Sequence, residues 1–149
     1  MSKIAQSPPL LLARAIGLRL SGRVHFPRDC IGTVEHCDDE NFEIFRKVLL
    51  DPSEDQPRRP GALFVVRFNF ARFGAKTNRL LSMLPIPFIV AQPGFRSKTW
   101  MIGRRTEAFR GLYEWDSIDD AERYWTSFPM NLMKWRAIPQ TLTYQVTKA

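Results

Sequence analysis

The sequence predicts an α+β fold with the element order βαββαβ, in which a four-stranded antiparallel sheet carries two helices on one face. Residues 61–149 contain four short runs that are rich in β-branched and aromatic residues, as strands are. Apolar residues at helical spacing follow the first and the third of these runs. The 149 residues are 44% hydrophobic and 25% charged, which suffices for the core of a domain and excludes a disordered or fibrous chain.

The first 60 residues are expected to form an N-terminal extension with a short helix and two strands. Leu10–Leu20 is apolar apart from two arginines and predicts a short helix packed on the domain, with an interfacial anchor as the alternative. Gly22–Pro27 and Glu43–Leu50 have the partly alternating pattern of strands. The run DPSEDQPRRPG at 51–61 carries three prolines and predicts a linker or a long surface loop, which places the domain boundary there.

Residues 61–149 supply the main domain. The predicted elements are, in order, a strand at Leu63–Ala71, a helix at Thr77–Leu84, strands at Phe95–Gly103 and Ala108–Trp115, a helix after Ser117 that Pro129 ends or restarts, and a strand at Thr141–Val146. Pro85 and Pro87 are expected to stop the first helix. Ser117 is expected to cap the second helix, because Asp120 stands three residues later as in a capping box. This order is that of the ferredoxin-like unit.

Residues 61–147 resemble the dimeric α+β barrel superfamily, in particular the antibiotic-biosynthesis-monooxygenase-like proteins and the mono-oxygenases of the YdhR type. The resemblance rests on Pro93-Gly94-Phe95 at the second strand, on Phe109–Trp115 running into Asp-Ser, and on the acidic-capped helix SIDDAERYWTSF. It implies a homodimer whose sheets meet face to face around a lumen. Some members oxidise polycyclic aromatic substrates without a metal or organic cofactor, whereas others bind haem, isomerise small molecules or have no known activity.

The charge distribution argues against a nucleic-acid-binding surface. The net charge of +7 lies in residues 61–149, which hold thirteen Lys and Arg against six Asp and Glu. These basic residues are dispersed, with Arg104-Arg105 as the longest run, and no nucleic-acid motif is present. No apolar run approaches the ~20 residues of a membrane span. Without a targeting signal, the expected location is the cytoplasm.

Strand alternation predicts a polar sheet face opposite the helices. The residues assigned to it are Arg67, Asn69, Arg96, Lys98, Trp100, Arg110 and Glu114. Burying such groups is costly unless they are paired or wet, so we expect them to line a lumen for an anionic or polar aromatic ligand. A solvated sheet face is the alternative reading.

A cofactor-free oxygenase needs an ionised substrate that can pass an electron to oxygen, together with a hydrogen-bond donor and a cation. Asn69 and Trp100 are the candidate catalytic donors, although core packing is the commoner role of a strand tryptophan. The candidate substrate-binding residues are Arg67, Lys98, Arg110 and Glu114.

Both histidines and both cysteines of the chain lie close together in sequence, at His25, Cys30, His36 and Cys37. Zinc takes four such ligands, but this spacing matches no standard zinc site. We therefore expect no metal and no cofactor, with a zinc site as the alternative. Haem is disfavoured because both histidines lie outside the main domain.

Two functions follow from the sequence. The first is a small-molecule-binding or oxidising protein of the dimeric α+β barrel type, in particular a cofactor-independent mono-oxygenase of an aromatic or polyketide-like substrate. The second is a non-catalytic ligand-binding or protein-assembly module. A nucleophile elbow and a phosphate-binding glycine loop are both missing from the sequence, which argues against serine hydrolases and nucleotide-binding proteins.

Overall fold

The computed structural model describes residues 6–149, which form one antiparallel sheet of seven strands with five helices and a short 3-10 turn. The helices are α1 (Pro8–Leu20), α2 (Ala75–Leu81), α3 (Ile86–Val90), α4 (Ile118–Tyr124) and α5 (Phe128–Arg136). The strands are β1 (Val24–His25), β2 (Val34–Cys37), β3 (Glu40–Leu50), β4 (Ala62–Phe68), β5 (Phe95–Gly103), β6 (Phe109–Trp115) and β7 (Thr143–Lys148). The strand order is β1-β3-β5-β6-β4-β7, and β2 pairs with β3. The part β5-β6-β4-β7 has the ferredoxin-like order, which confirms the predicted fold class.

The N-terminal strands extend this sheet. The eleven-residue strand β3 pairs with β5 and so covers an edge that would otherwise be open. The two strands predicted in this segment are confirmed as β1 and β3, whereas β2 was missed. Its acidic surroundings favour a turn, and the structure does place one there, at Asp38, with a φ of 54°. The proposed boundary between extension and domain stays a prediction.

The N-terminal helix and the proline-rich segment are both held against the sheet domain. Leu11 and Ala15 of α1 are buried, and the helix lies beside α3, as expected for a packed helix. Residues 51–61 contain no helix or strand. The Arg96 guanidinium donates hydrogen bonds to the carbonyl oxygens of Pro57 and Arg58 at 2.6 and 2.8 Å, which ties this loop to β5.

The main core lies between the sheet and the helices. Phe64, Val66 and Phe68 of β4 are buried there, which confirms the predicted apolar face of this strand. The predicted cap of the following helix is also confirmed, because the Ser117 hydroxyl accepts a hydrogen bond from the backbone N–H of Asp120. Within residues 6–149, no helix combines the length and apolarity needed to cross a bilayer.

Two helices whose bounds the sequence did not fully predict, α3 and α5, have a proline in their first turn. Pro87 lies in the first turn of α3, a helix that was predicted as a break after Pro85. Proline is tolerated in a first turn because its missing N–H would have no partner there. The predicted second helix is split into α4 and α5, and α5 restarts at a Ser127 cap with Pro129 in its first turn.

Candidate functional site

A cavity of about 240 Å³ lies between the helix-bearing face of the sheet and helices α2 and α5. The sheet lines it with side chains from β4, β5 and β6, namely Phe68, Lys98, Trp100 and Phe109. The helices line it with Asn78, Leu81, Leu132, Met133, Trp135 and Arg136. Ligand sites typically span roughly 300–1,000 Å³, so this cavity lies just below that range and would hold only a small molecule.

Lys98 on β5 is the most unusual residue of the cavity. Its side chain is fully buried, and its Nζ has no hydrogen-bond partner in the part of the chain that the structure describes. The amine instead lies over aromatic rings, 4.5 Å from the ring centres of Trp100 and Tyr113 and 5.4 Å from that of Phe109. Buried lysines are normally paired with an acid.

Burial lowers the pKa of Lys98 well below its ordinary value of 10.5, and the nearby charges of Arg136 and Arg46 lower it further. The rings attract an ammonium by about 0.5–2 kcal/mol. Withdrawing an ammonium from water costs several kcal/mol, so the burial effect is the larger of the two. Burial therefore shifts the protonation equilibrium of Lys98 towards the neutral amine.

The tyrosine beside Lys98 does not supply a negative charge. Burial raises the pKa of Tyr113 well above its ordinary value, and contact with Tyr124 raises it further. The Tyr124 hydroxyl donates a hydrogen bond to the Tyr113 oxygen at 3.1 Å. Both phenols consequently stay protonated, and Lys98 has no anion beside it among residues 6–149.

The charged side chains that line the cavity besides this amine are both arginines. Arg72 and Arg136 line it, and no carboxylate is among the described residues that do so. The Trp100 indole Nε1, also buried, has no acceptor within residues 6–149. The cavity thus combines aromatic walls, two arginines, a buried amine and an unused N–H donor, an arrangement that complements an aromatic anion.

Asn78 of α2 organises the entrance of the cavity. Its buried amide donates to the carbonyl oxygens of Arg72 and Gly74 at 2.9 and 3.0 Å, and its oxygen accepts from the Arg136 guanidinium at 2.9 Å. One side chain therefore joins the loop after β4 to the end of α5. Asn78 is a positioning residue for Arg136.

Replacing Asn78 by alanine is expected to lower the free energy of unfolding by about 2 kcal/mol, because two carbonyl oxygens and the half-buried Arg136 guanidinium lose their partner. Urea titration followed by circular dichroism measures this change. Asn131 is the matched control, since it is an exposed asparagine on α5. Asn131→Ala should change the stability by less than about 0.5 kcal/mol. Equal stability of the two variants would contradict this role of Asn78.

The structure brings only two of the seven predicted face residues to this cavity, Lys98 and Trp100. They were expected on the sheet face away from the helices, and that assignment is wrong. Lys98 pairs with Tyr113 and Trp100 with Gly111, and paired residues in an antiparallel sheet lie on the same face. Since Tyr113 belongs to the helix-side core, Lys98 and Trp100 face the helices as well.

Arg67, Arg110 and Glu114 lie on the open face of the sheet. The Arg67 guanidinium binds the carboxylates of Asp38 and Glu40, each at 2.9 Å. These acids belong to the β2–β3 hairpin, residues 34–50, and its Glu35 lies 3.9 Å from the Arg110 guanidinium. The Glu114 carboxylate accepts a hydrogen bond from Ser97 at 2.6 Å.

Arg67 and Arg110 therefore have acidic partners within the chain, and the hairpin covers their end of the open face. Asn69 and Arg96 line neither surface. The Asn69 amide donates to the Thr106 carbonyl at 3.2 Å, and Arg96 lies at a bulge of β5, where it binds Asp116 at 3.1 Å. The prediction that all seven residues line a single lumen is thus wrong.

The four histidine and cysteine side chains do not form a cluster. His25 Nε2 lies 2.6 Å from Asp51, and His36 Nδ1 lies 2.9 Å from the Asn41 amide oxygen. Cys30 and Cys37 are free thiols that pack against the small apolar cluster under the hairpin. Within residues 6–149, no group of three or more histidine, cysteine or acidic side chains could hold a metal ion. The zinc alternative therefore has no support from the described residues.

Comparison with solved structures identifies proteins that share this fold. A ferredoxin-fold protein from Listeria monocytogenes, related to antibiotic biosynthesis monooxygenases, is 11% identical, with a TM-score of 0.50 over 84% of this chain and 90% of that one. A haem-degrading enzyme from the same organism is 10% identical, with a TM-score of 0.52 over 83% of this chain and 95% of that one. An anthrone oxidase-like protein is 17% identical, with a TM-score of 0.49 over 73% of this chain.

The chain spans 52% of the anthrone oxidase-like protein, about half of its length. No protein-family model matches the sequence, and no curated protein matches it either. The likeness to these solved structures shows the fold alone, which is the ferredoxin-like α+β fold.

Haem, which one of these proteins degrades, does not fit the residues of this cavity. No histidine lines it, since both histidines of the chain lie in the N-terminal segment and are bonded to Asp51 and Asn41. A tetrapyrrole is also larger than a cavity of about 240 Å³.

Proposed function

We propose that this chain binds a small aromatic anion in the cavity around Lys98 and oxidises it with molecular oxygen, without a metal or organic cofactor. The observation that carries the proposal is a buried lysine amine that has no partner in the described part of the chain. Such a group lowers stability, and a bound anion would supply the missing partner. The fold shared with a protein related to antibiotic biosynthesis monooxygenases supports the proposal by analogy.

The chemistry follows from the neutral state of the amine. Lys98 takes a proton from an enolisable or phenolic substrate, and the resulting ammonium pairs with the substrate anion. The Trp100 N–H donates to the oxygen on which the negative charge develops. The protein thereby supplies both the base and the stabilisation of the anion.

Oxygen then acts as the electron acceptor. The anion passes one electron to O₂, and the substrate radical and superoxide recombine to a peroxide. Loss of water from the peroxide leaves a carbonyl group. For a ring methylene the balance is CH₂ + O₂ → C=O + H₂O, in which the substrate is oxidised and both oxygen atoms are reduced. Lys98 returns its proton to the departing hydroxide.

Anthrone, an enolisable tricyclic ketone, is the probe that tests this function. Wild-type protein is expected to consume one O₂ per anthraquinone formed, and Lys98→Met to lose at least roughly tenfold in kcat/KM, as expected when a base is removed. Lys47→Met is the matched control, because Lys47 pairs with Thr99 on the opposite face of the sheet. Oxidation at the wild-type rate by Lys98→Met would contradict the proposed role.

The second candidate function is ligand binding without turnover. The position of Asn69 favours this function. Its side-chain amide already donates a hydrogen bond to the Thr106 carbonyl oxygen, so Trp100 is the only one of the two predicted catalytic donors that remains available to a ligand. Anthrone binding without oxygen consumption would select this function. The homodimer and the cytoplasmic location stay predictions.

A further inference from the structure

We infer that the surface around the mouth of the cavity docks onto an anionic lipid bilayer. Phe73, Leu84 and Trp135 all line this cavity, yet 69%, 69% and 70% of their surfaces are exposed. Exposed apolar side chains are ordinary when scattered singly, whereas a cluster of large ones marks an interaction surface. The inference concerns where the protein binds and does not depend on turnover in the cavity.

The exposure of Phe73 is built into the backbone. Phe73 has a φ of 65°, in the left-handed region that a bulky residue rarely adopts. Its carbonyl and those of its two neighbours accept hydrogen bonds from the buried Asn78 amide. Because a buried side chain holds this loop, the ring is presented to solvent by the fold itself, and strained residues of this kind gather at functional sites.

The charges around these apolar residues have one sign. The two stretches that form the mouth, 69–85 and 128–136, contain five basic residues and no Asp or Glu. Arg72 lies over the Trp135 ring at 5.0 Å, while Lys76 and Arg79 are exposed on α2. Aromatic and aliphatic side chains among Lys and Arg are typical of protein surfaces that lie in the interface of anionic membranes.

The same features disfavour two other partners. A second copy of the chain on this face would bring five basic residues against five, because a two-fold interface pairs one patch with itself. A double-stranded nucleic acid would use the cations, but the phosphates that it presents to them would leave Leu84 uncovered. A bilayer with anionic headgroups satisfies both the cations and the apolar side chains.

Co-sedimentation with sucrose-loaded vesicles tests the inference, with no cavity ligand present. Wild-type protein should pellet with phosphatidylcholine vesicles that contain about 30% phosphatidylglycerol, but not with phosphatidylcholine alone, and salt should weaken the binding. Phe73→Ser combined with Leu84→Ser should reduce binding by roughly tenfold or more. Its matched control replaces Val34 and Ile118 by serine, two exposed aliphatic residues outside the mouth.

A charge-reversal pair provides the second arm. Lys76→Glu with Arg79→Glu should also reduce binding by roughly tenfold or more, whereas Arg58→Glu with Arg59→Glu should leave it unchanged. These control arginines lie in the 51–61 loop, which precedes the other end of β4. The inference would be overturned if wild-type protein failed to bind the anionic vesicles. It would also be overturned if the two mouth variants, the serine pair and the glutamate pair at 76 and 79, both bound the vesicles as tightly as wild type does. Conversion of a dimer to a monomer by the mouth variants would assign this face to a second copy instead and would also overturn it.

Discussion

Replacement of Lys98 by methionine is expected to raise the free energy of unfolding at neutral pH by about 1–4 kcal/mol. Methionine fills a similar volume, keeps contact with the aromatic rings and removes a buried amine that has no partner among the described residues. Most core substitutions destabilise, so a gain in stability is a specific signature of an unsatisfied group. Urea titration of the two proteins measures the difference.

The pH dependence of this difference follows from the lowered pKa of Lys98. The unfolded chain binds a proton at this lysine up to an ordinary pKa of 10.5, while the folded protein releases it at lower pH. The buried lysine therefore lowers the free energy of unfolding. This loss of stability is absent above pH 10.5 and grows as the pH falls towards the folded-state pKa of Lys98. The stability gap between Lys98→Met and wild type should therefore narrow as the pH rises towards 10.5.

Lys47→Met controls for the general effect of losing a lysine, since Lys47 lies on the other face of the sheet. It should neither raise the stability by this amount nor alter its pH dependence. A Lys98→Met protein that is less stable than wild type at neutral pH would show that the amine has a partner in the free protein. The proposed anion site would then lose its physical basis.

Replacement of Glu40 by glutamine is expected to lower the free energy of unfolding by about 1.5–3 kcal/mol, the range for hydrogen bonds to a charged group, because Arg67 keeps its second partner Asp38. The Glu40 carboxylate is buried and binds the Arg67 guanidinium at 2.9 Å. It also accepts hydrogen bonds from the backbone N–H groups of Arg105 and Thr106 and from the Thr106 hydroxyl. A glutamine amide would place an N–H group against some of these donors.

The sign of the pH effect is opposite to that of Lys98. Burial alone would raise the pKa of Glu40, but hydrogen bonds from Thr106 and Arg105 and the charge of Arg67 lower it below the ordinary 4.5. The stability that the carboxylate supplies is thus complete above pH 4.5 and is lost as the pH falls through the lower folded-state pKa. The difference in the free energy of unfolding between wild type and Glu40→Gln should therefore become smaller as the pH falls through that acidic range.

Glu43→Gln is the control for this substitution. Glu43 lies on the same strand, is partly exposed and pairs with Arg104 at 3.5 Å. Such a surface pair contributes about 0–1 kcal/mol. If Glu40→Gln and Glu43→Gln were equally stable, the Glu40 network would not hold the β2–β3 hairpin to the domain.

The sequence predicted the helices and strands well where a turn or capping residue marks their ends. The strand Phe95–Gly103 has the predicted bounds, since Gly94 with a φ of 79° forms the turn before it. The Ser117 cap was likewise predictable from one hydroxyl and one following acid. The strand β2 was not, because the acidic residues that follow it favour a turn and it pairs only with the adjacent β3.

The face of Lys98 could not be predicted because β5 gives no alternating signal. All nine of its residues are buried, since it lies between β3 and β6 and is covered on both faces. The alternation of side chains along a strand shows which residues share a face. It does not show which face meets the helices, and the polarity of Lys98 suggested the face away from them. The site partners Asn78 and Arg136 lie 58 residues apart, so only the tertiary fold brings them together.

Calorimetric titration with 2-naphthoate and its neutral analogue 2-naphthamide tests the anion site most directly, because the two probes have nearly the same shape and differ in charge. Wild-type protein is expected to bind the carboxylate at least roughly tenfold more tightly than the amide, and Lys98→Met is expected to remove that preference. Equal affinities for the two probes in wild type, or a preference for the carboxylate that survives Lys98→Met, would contradict an anion site at Lys98.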